Sequence, residues 1–183
     1  MINRIETNRL ILRPFKKSDA NDMLKNWVSD PDIQNEYGEP TYIGLENVLE
    51  LINTYTNPES IKSLFRFAII EKESGENIGQ IAFCKIWREI QTAEIEYCIG
   101  KRFWGKGYAG EALDALIQYA FNNTSITCLE AYHRAENQKS ARVLEKSKMH
   151  KTDTIQRFII NNITPEGEIC YCINKADYIK NKL

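Results

Sequence analysis

Neither sign of charge dominates this chain: 24 Lys and Arg stand against 25 Asp and Glu in 183 residues. No global field draws it to nucleic acid or to an anionic membrane, so neither partner is expected. No apolar run approaches the ~20 residues of a membrane span, and the start, Met-Ile-Asn-Arg-Ile-Glu, lacks a secretory apolar stretch. The expectation is a cytoplasmic protein with a small or local partner. Repeats, linkers and low-complexity stretches are missing too, so residues 1–183 read as a single domain. Five cysteines (84, 98, 128, 170 and 172) are an odd number without the second pair that a structural zinc site needs. They read as reduced core or half-buried thiols, and no metal is expected.

What is present is an ordinary globular composition, 43% hydrophobic and 27% charged. Leu10 and Leu12 alternate with Ile11 up to Pro14, as a strand does. Ser18 and Asp19 can cap a helix carrying Ala20, Met23, Leu24 and Trp27, which Asp30-Pro31-Asp32 closes. Residues 31–43 are polar and aromatic without periodicity and read as a loop. A second helix follows through Leu45, Val48, Leu49 and Ile52 and fades near Pro58. Runs 64–71 and 77–87 form a hairpin across 72–76, and 91–99 extends the meander. Ala109, Ala112, Leu113, Leu116, Ile117, Ala120 and Phe121 mark an amphipathic helix. A strand at 128–132, a helix from 137–140, a last hairpin of 150–160 with 168–174, and a frayed tail from Lys175 complete the chain. This order implies an α/β fold of α+β type: one mixed, largely antiparallel sheet of six to seven strands with helices on both faces.

The stretch 102–109, Arg-Phe-Trp-Gly-Lys-Gly-Tyr-Ala, places glycines 105 and 107 between a strand and a helix. Glycine admits positive φ and close backbone approach, and first-turn N–H groups lack intrahelical partners, so the turn suits a phosphate. Arg102 and Lys106 add positive charge, although both can also be solvated surface cations. No Gly-Lys-Ser/Thr follows, which excludes the nucleotide P-loop.

The segment resembles the R/Q-x-x-G-x-G/A signature of the GNAT superfamily of N-acetyltransferases. Thr7-Asn-Arg-Leu-Ile-Leu-Arg-Pro followed by Ser18-Asp-Ala is similar to the opening of its RimJ/RimL-like branch. Asn137-x-x-Ser140 with Val143-Leu144-x-Lys146 matches the element beside the coenzyme arm. The three motifs stand in family order over nearly the whole chain.

The resemblance implies the GNAT fold and acetyl-CoA as co-substrate. Its pyrophosphate would rest on the N–H groups of Gly105, Lys106, Gly107, Tyr108 and Ala109, beside Arg102. Its pantetheine would lie along the strand at Cys98 and Ile99 like an added strand, with Asn137 and Ser140 along the arm. The first helical pair would flank the acceptor cleft, which makes Tyr37 and Glu94 candidates for acceptor contacts.

Acyl transfer to an amine needs a neutral nucleophile, a polarised carbonyl and a proton for the leaving thiolate. Glu94 and Glu96 share a strand face and are the candidate proton acceptors. Glu94 matches the family's usual glutamate, whereas Glu96 stands where this branch commonly has glycine. The family's acidic tyrosine aligns with Leu144, leaving Ser140 as the nearest group to hydrogen-bond the sulfur. Lys148-Met149 replaces the usual Gly-Phe, so the turn there is expected to be reshaped.

Deprotonating an α-amino group near pKa 8 at pH 7 costs about 1.4 kcal/mol, against ~4.6 kcal/mol for a lysine amine. A peptide or protein N-terminus is therefore the leading acceptor, attacked in a ternary complex. A small amine such as a polyamine or amino-sugar antibiotic is the alternative, and a non-catalytic acyl-CoA-binding protein is the rival from another class. Monomer and homodimer both stay open.

Overall fold

The computed structural model describes residues 4–57 and 65–180. Among them eight strands follow the order β1-β2-β3-β4-β5-β6-β8-β7, one or two more than expected. The strand that was not read is the two-residue β1, Ile5–Glu6, too short to leave a legible alternation; β7, His150–Thr152, is the start of the expected run 150–160, cut short. The chain divides into two compact units, Met1–Cys84 with Glu96–Ala115, and Lys85–Ile95 with Leu116–Leu183.

In the first unit β1 pairs antiparallel with β2 (Leu10–Arg13), β2 with β3 (Arg66–Glu71) and β3 with β4 (Asn77–Trp87). Leu10 and Leu12 are fully buried while Ile11 and Arg13 are half-buried, the alternation read from the sequence. Residue 64, the expected start of the β3 run, and Pro58, where the second helix was expected to fade, lie outside the described residues.

The first helical stretch is a relay of three geometries: a 3₁₀ turn Lys17–Asp19, α1 Ala20–Met23 and a π turn Leu24–Val28. At the N-cap of α1 itself, Asp19 makes no side-chain cap bond. Its carboxylate instead accepts from both Arg13 terminal nitrogens, at 2.8 and 2.7 Å, and from the Lys16 N–H, fastening the end of β2 to the start of the helix. The π turn buries Asn26 and brings its carbonyl against Gly100, where any Cβ would stand 2.4 Å from that oxygen.

Residues 31–37 correct the expected loop. The first helical stretch does end just before Asp30, with Ser29 as its C-cap, and Asp30 then caps a new helix, α2 Pro31–Tyr37, accepting from the Asp32 and Ile33 N–H groups. Proline at the first helical position and Gly38 at φ 78° bound it on either side. Only Ile33 and Gln34 are buried in this short helix, too few to give a period. With α3 (Leu45–Thr56), these elements bury Met23, Trp27, Val28, Ile33, Val48 and Ile52 in one cluster. Each such side chain contributes about 1.5–3 kcal/mol on burial.

In the second unit the first part of β5 (Thr92–Ile99) runs parallel to β6 (Cys128–Arg134), in register from Thr92↔Cys128 to Glu94↔Glu130. β6 then continues antiparallel to β8 (Glu168–Asn174), whose other side takes β7. Two expectations fail here. The run 155–160 is not strand but helix α6, Gln156–Asn161, ending at Asn162 with φ 51°. Ile155 and Phe158 are buried while Ile159 and Ile160 are exposed, a helical spacing too short to stand out. The tail from Lys175 is likewise ordered, as α7 Lys175–Lys180, because Tyr178 is buried against the Phe121 ring.

Candidate active site

The glycine turn belongs to the first unit. Gly105 and Gly107 both have positive φ, 75° and 81°, and α4 (Tyr108–Asn123) begins directly after them. A Cβ at Gly105 would meet nothing within 4 Å, and one at Gly107 would approach only the Arg9 guanidinium, at 3.5 Å. Open space over Gly105 and a guanidinium beside Gly107, at a helix N-terminus, fit a phosphate-bearing ligand.

The turn is braced from the opening of the chain. Glu111, in the first turn of α4, accepts from the Thr7 hydroxyl (2.5 Å), the Arg9 N–H (2.9 Å) and Arg9 Nε (2.7 Å). Arg9 also donates to the Lys106 carbonyl at 2.8 Å and lies over the Tyr108 ring. Burial pushes the Glu111 carboxyl up, but these donors hold it below its ordinary value. The Tyr108 hydroxyl donates to Glu71, whose carboxyl it lowers. The opening motif and the glycine motif, 97 residues apart at Arg9 and Lys106, are therefore halves of one clasp. Sequence reasoning singled out the Thr7 and Arg9 stretch only by resemblance and missed Glu111.

Arg102 faces Glu76 at 2.5 Å on the surface, and Lys106 Nζ lies over the rings of Phe103 and Tyr108. On β5, Cys98 is buried, and burial pushes its thiol well up. Its carbonyl points at β4: a Cβ on Gly79 would stand 2.2 Å from that oxygen. Strand alternation therefore turns the amides of Tyr97 and Ile99 the other way, where the Ile99 carbonyl accepts from the Trp104 indole at 2.6 Å.

The two β5 glutamates have different surroundings. Glu94, in the second unit, is 2% exposed and held by Arg157 of α6, whose Nε reaches both carboxylate oxygens at 2.9 and 2.7 Å and whose second terminal nitrogen reaches Oε1 at 2.5 Å. Its register neighbour Glu130 accepts from the Gln156 N–H, and burial raises its carboxyl. Glu96, in the first unit, accepts on Oε1 from the Tyr37 hydroxyl (2.6 Å) and an Arg66 nitrogen (2.5 Å). The structure thus joins Tyr37 to Glu96. Arg66 and Arg157 were missed; one buried arginine in a strand and one in a helix mistaken for strand gave no signal.

Asn137 and Ser140 meet in the second unit. The Asn137 carboxamide oxygen accepts from the Ser140 N–H at 3.0 Å and caps α5, Gln138–Lys146. Leu144 is buried. The helix ends on extended Ser147, and Lys148 is not among the residues with positive φ. The Ser147 hydroxyl donates to the Leu144 carbonyl and accepts from the Met149 N–H, which is the reshaped turn expected there. Among the described residues, no group of three or more His, Cys, Asp or Glu is placed to hold a metal ion. Among the same residues, no helix is long and apolar enough to cross a membrane.

Comparison with known proteins identifies the family. Residues 9–150 match the family described as "Acetyltransferase (GNAT) domain", and the chain belongs to that family of acetyl-CoA-dependent N-acetyltransferases. It is 31% identical to an uncharacterised N-acetyltransferase, p20, of Bacillus licheniformis, over 83% of this chain and 85% of that one. Its relatives extend to the ribosomal protein uS5 alanine N-acetyltransferase of Escherichia coli, at 25% identity over 86% of this chain and 83% of that protein. A crystal structure of a GNAT-family acetyltransferase from Bacillus anthracis superposes with a TM-score of 0.75 at 26% identity, covering 94% of this chain and 99% of that one.

Proposed function

We propose that this enzyme acetylates the amine of a peptide or protein N-terminus, by direct attack in a ternary complex with acetyl-CoA. The clasped glycine turn carries the coenzyme half of this reading: Gly105 and Gly107 at positive φ, with open space over Gly105 and the Arg9 guanidinium beside Gly107, at the start of a 16-residue helix. The family match runs through both compact units, in keeping with one domain over 1–183. Acetyl-CoA supplies the activated acetyl group as a thioester.

The N–H groups of Gly105, Lys106, Gly107, Tyr108 and Ala109 hold its phosphates, with Arg102 and Lys106 as flanking charge. Pantetheine pairs with the strand at Cys98 and Ile99, and the amides of Tyr97 and Ile99 face it better than that of Cys98. Asn137 orients the arm and Ser140 hydrogen-bonds the sulfur. A carboxylate on the Glu94 and Glu96 face removes the ammonium proton, and Tyr37 lines the acceptor side. An α-amine favours this scheme because it needs about 3 kcal/mol less deprotonation than a lysine amine. The likeness to an alanine N-acetyltransferase points the same way.

Free-thiol release from acetyl-CoA, with N-terminal peptides, polyamines and aminoglycosides as separate acceptors, tests the assignment. Release with peptides alone supports it, and release with a small amine alone replaces it. Gly107→Trp should abolish coenzyme binding in calorimetry, and normal binding by that variant would remove the cradle.

A further inference from the structure

Only one of the two β5 glutamates has an oxygen to spare. Both oxygens of Glu94 are engaged by Arg157. On Glu96, Tyr37 and Arg66 both bind Oε1, and Oε2 has no hydrogen-bond partner among the described residues. The Glu96 side chain is 29% exposed, so a solute can reach it.

This carboxylate is not a loosely solvated surface acid. Arg66, with a side chain only 5% exposed, also donates to Gln80 Oε1 at 2.8 Å and to the Tyr37 hydroxyl at 3.1 Å, and stacks over the Tyr55 ring. Burial opposes the Arg66 cation, but Tyr37 and Glu96 beside it more than offset that. Burial, then the Glu96 charge, pushes the Tyr37 hydroxyl well up, so it stays a donor. A buried arginine fork and a tyrosine on one oxygen fix where the other oxygen points.

We infer that Glu96, through Oε2, is the group that receives the acceptor's ammonium and takes its proton, with Tyr37 and Arg66 as positioning residues that aim it. This deepens the acetyl-transfer reading above and rests on it. The ammonium proton passes to Glu96 Oε2 and the nitrogen lone pair forms the C–N bond to the acetyl carbon. The C–S bond breaks, and a second proton from nitrogen goes to the departing thiolate. Glu96 then returns its proton to solvent. Glu94 with Arg157 instead fastens α6 to β5.

The test is steady-state kinetics with acetyl-CoA and an N-terminal peptide that the wild type acetylates, together with melting temperatures. Glu96→Gln should lower kcat/KM for the peptide roughly 100-fold, the usual weight of a general base, with the KM for acetyl-CoA unchanged. Glu96→Ala should regain activity with added formate, which fills the vacated carboxylate position. Tyr37→Phe should lower kcat about 5-fold at constant KM for acetyl-CoA and constant melting temperature, a split that a structural role would not give. A Glu96→Gln enzyme within 2-fold of a fully active wild type overturns this inference alone, as does formate rescue of Glu94→Ala but not of Glu96→Ala. A wild type that acetylates no peptide overturns the acceptor reading and this inference with it.

Discussion

Glu94 and Glu96 are two residues apart on one strand, share a face, and have different partners. Glu94 is buried and spent on a bidentate arginine; Glu96 is half-buried, clamped on one oxygen and, among the described residues, open on the other. Their spacing alone made them equivalent. What separates them is the partner that each element of the fold supplies, Arg157 from α6 and Arg66 from β3. On the inference drawn above, the carboxylate matching the family's position, Glu94, serves as a support, and Glu96, at a position where the branch commonly has glycine, is the proton acceptor.

The largest effect that can break this comparison is on stability. Arg157→Ala leaves the Glu94 charge buried without its arginine and should cost about 3–5 kcal/mol by urea denaturation. Arg157 is 38% exposed, so removing Glu94 instead strands a cation that can reach water, and Glu94→Ala should cost less than Arg157→Ala. Equal costs would mean that Glu94 is not the dry end of the pair.

Next in size is the clasp at the glycine turn, the proposed coenzyme cradle. Glu111→Gln removes the charge that gathers Thr7 and Arg9 and should raise the KM for acetyl-CoA about 10-fold, or ~1.4 kcal/mol. Glu96 variants should leave that KM alone. A smaller loss, about 1 kcal/mol of stability, is expected for Asn137→Ala through the missing α5 cap.

The smallest effect has the opposite sign. Burial raises the folded Glu130 carboxyl above its unfolded value, so its contribution is fully present below the unfolded pKa and lost as pH rises through the folded one. Glu130→Gln should therefore raise the melting temperature at pH 7 and lose that advantage as pH falls toward 4. The lowered carboxyls of Glu71, Glu76 and Glu111 act in the reverse sense. Their stabilisation is present above the unfolded value of 4.5 and is lost as pH falls through their lower folded values, so thermal scans should show acid destabilisation starting there.

Long, strongly patterned elements were legible in the sequence: β2, β4, α3, α4 and the hairpin of β3 with β4. The glycine turn was legible because positive φ restricts the residue type. Short elements were not. Asp30-Pro31 is a good cap and first turn, yet α2 buries too few side chains to announce itself, and α6 was absorbed into a strand-like run of Ile and Phe. These two hidden helices carry Tyr37 and Arg157. For that reason the candidate glutamates could be found from the strand while their roles could not be divided. Partners such as Arg66 and Glu111 are set by contacts across the fold, which no local pattern records.

The most direct test is a crystal structure with a bisubstrate analogue that joins the acceptor nitrogen to coenzyme A. The account predicts that nitrogen at hydrogen-bond distance, roughly 2.7–3.2 Å, from Glu96 Oε2, with Tyr37 and Arg66 still on Oε1 and Arg157 still on Glu94. A nitrogen resting on Glu94, with Arg157 displaced, would contradict it.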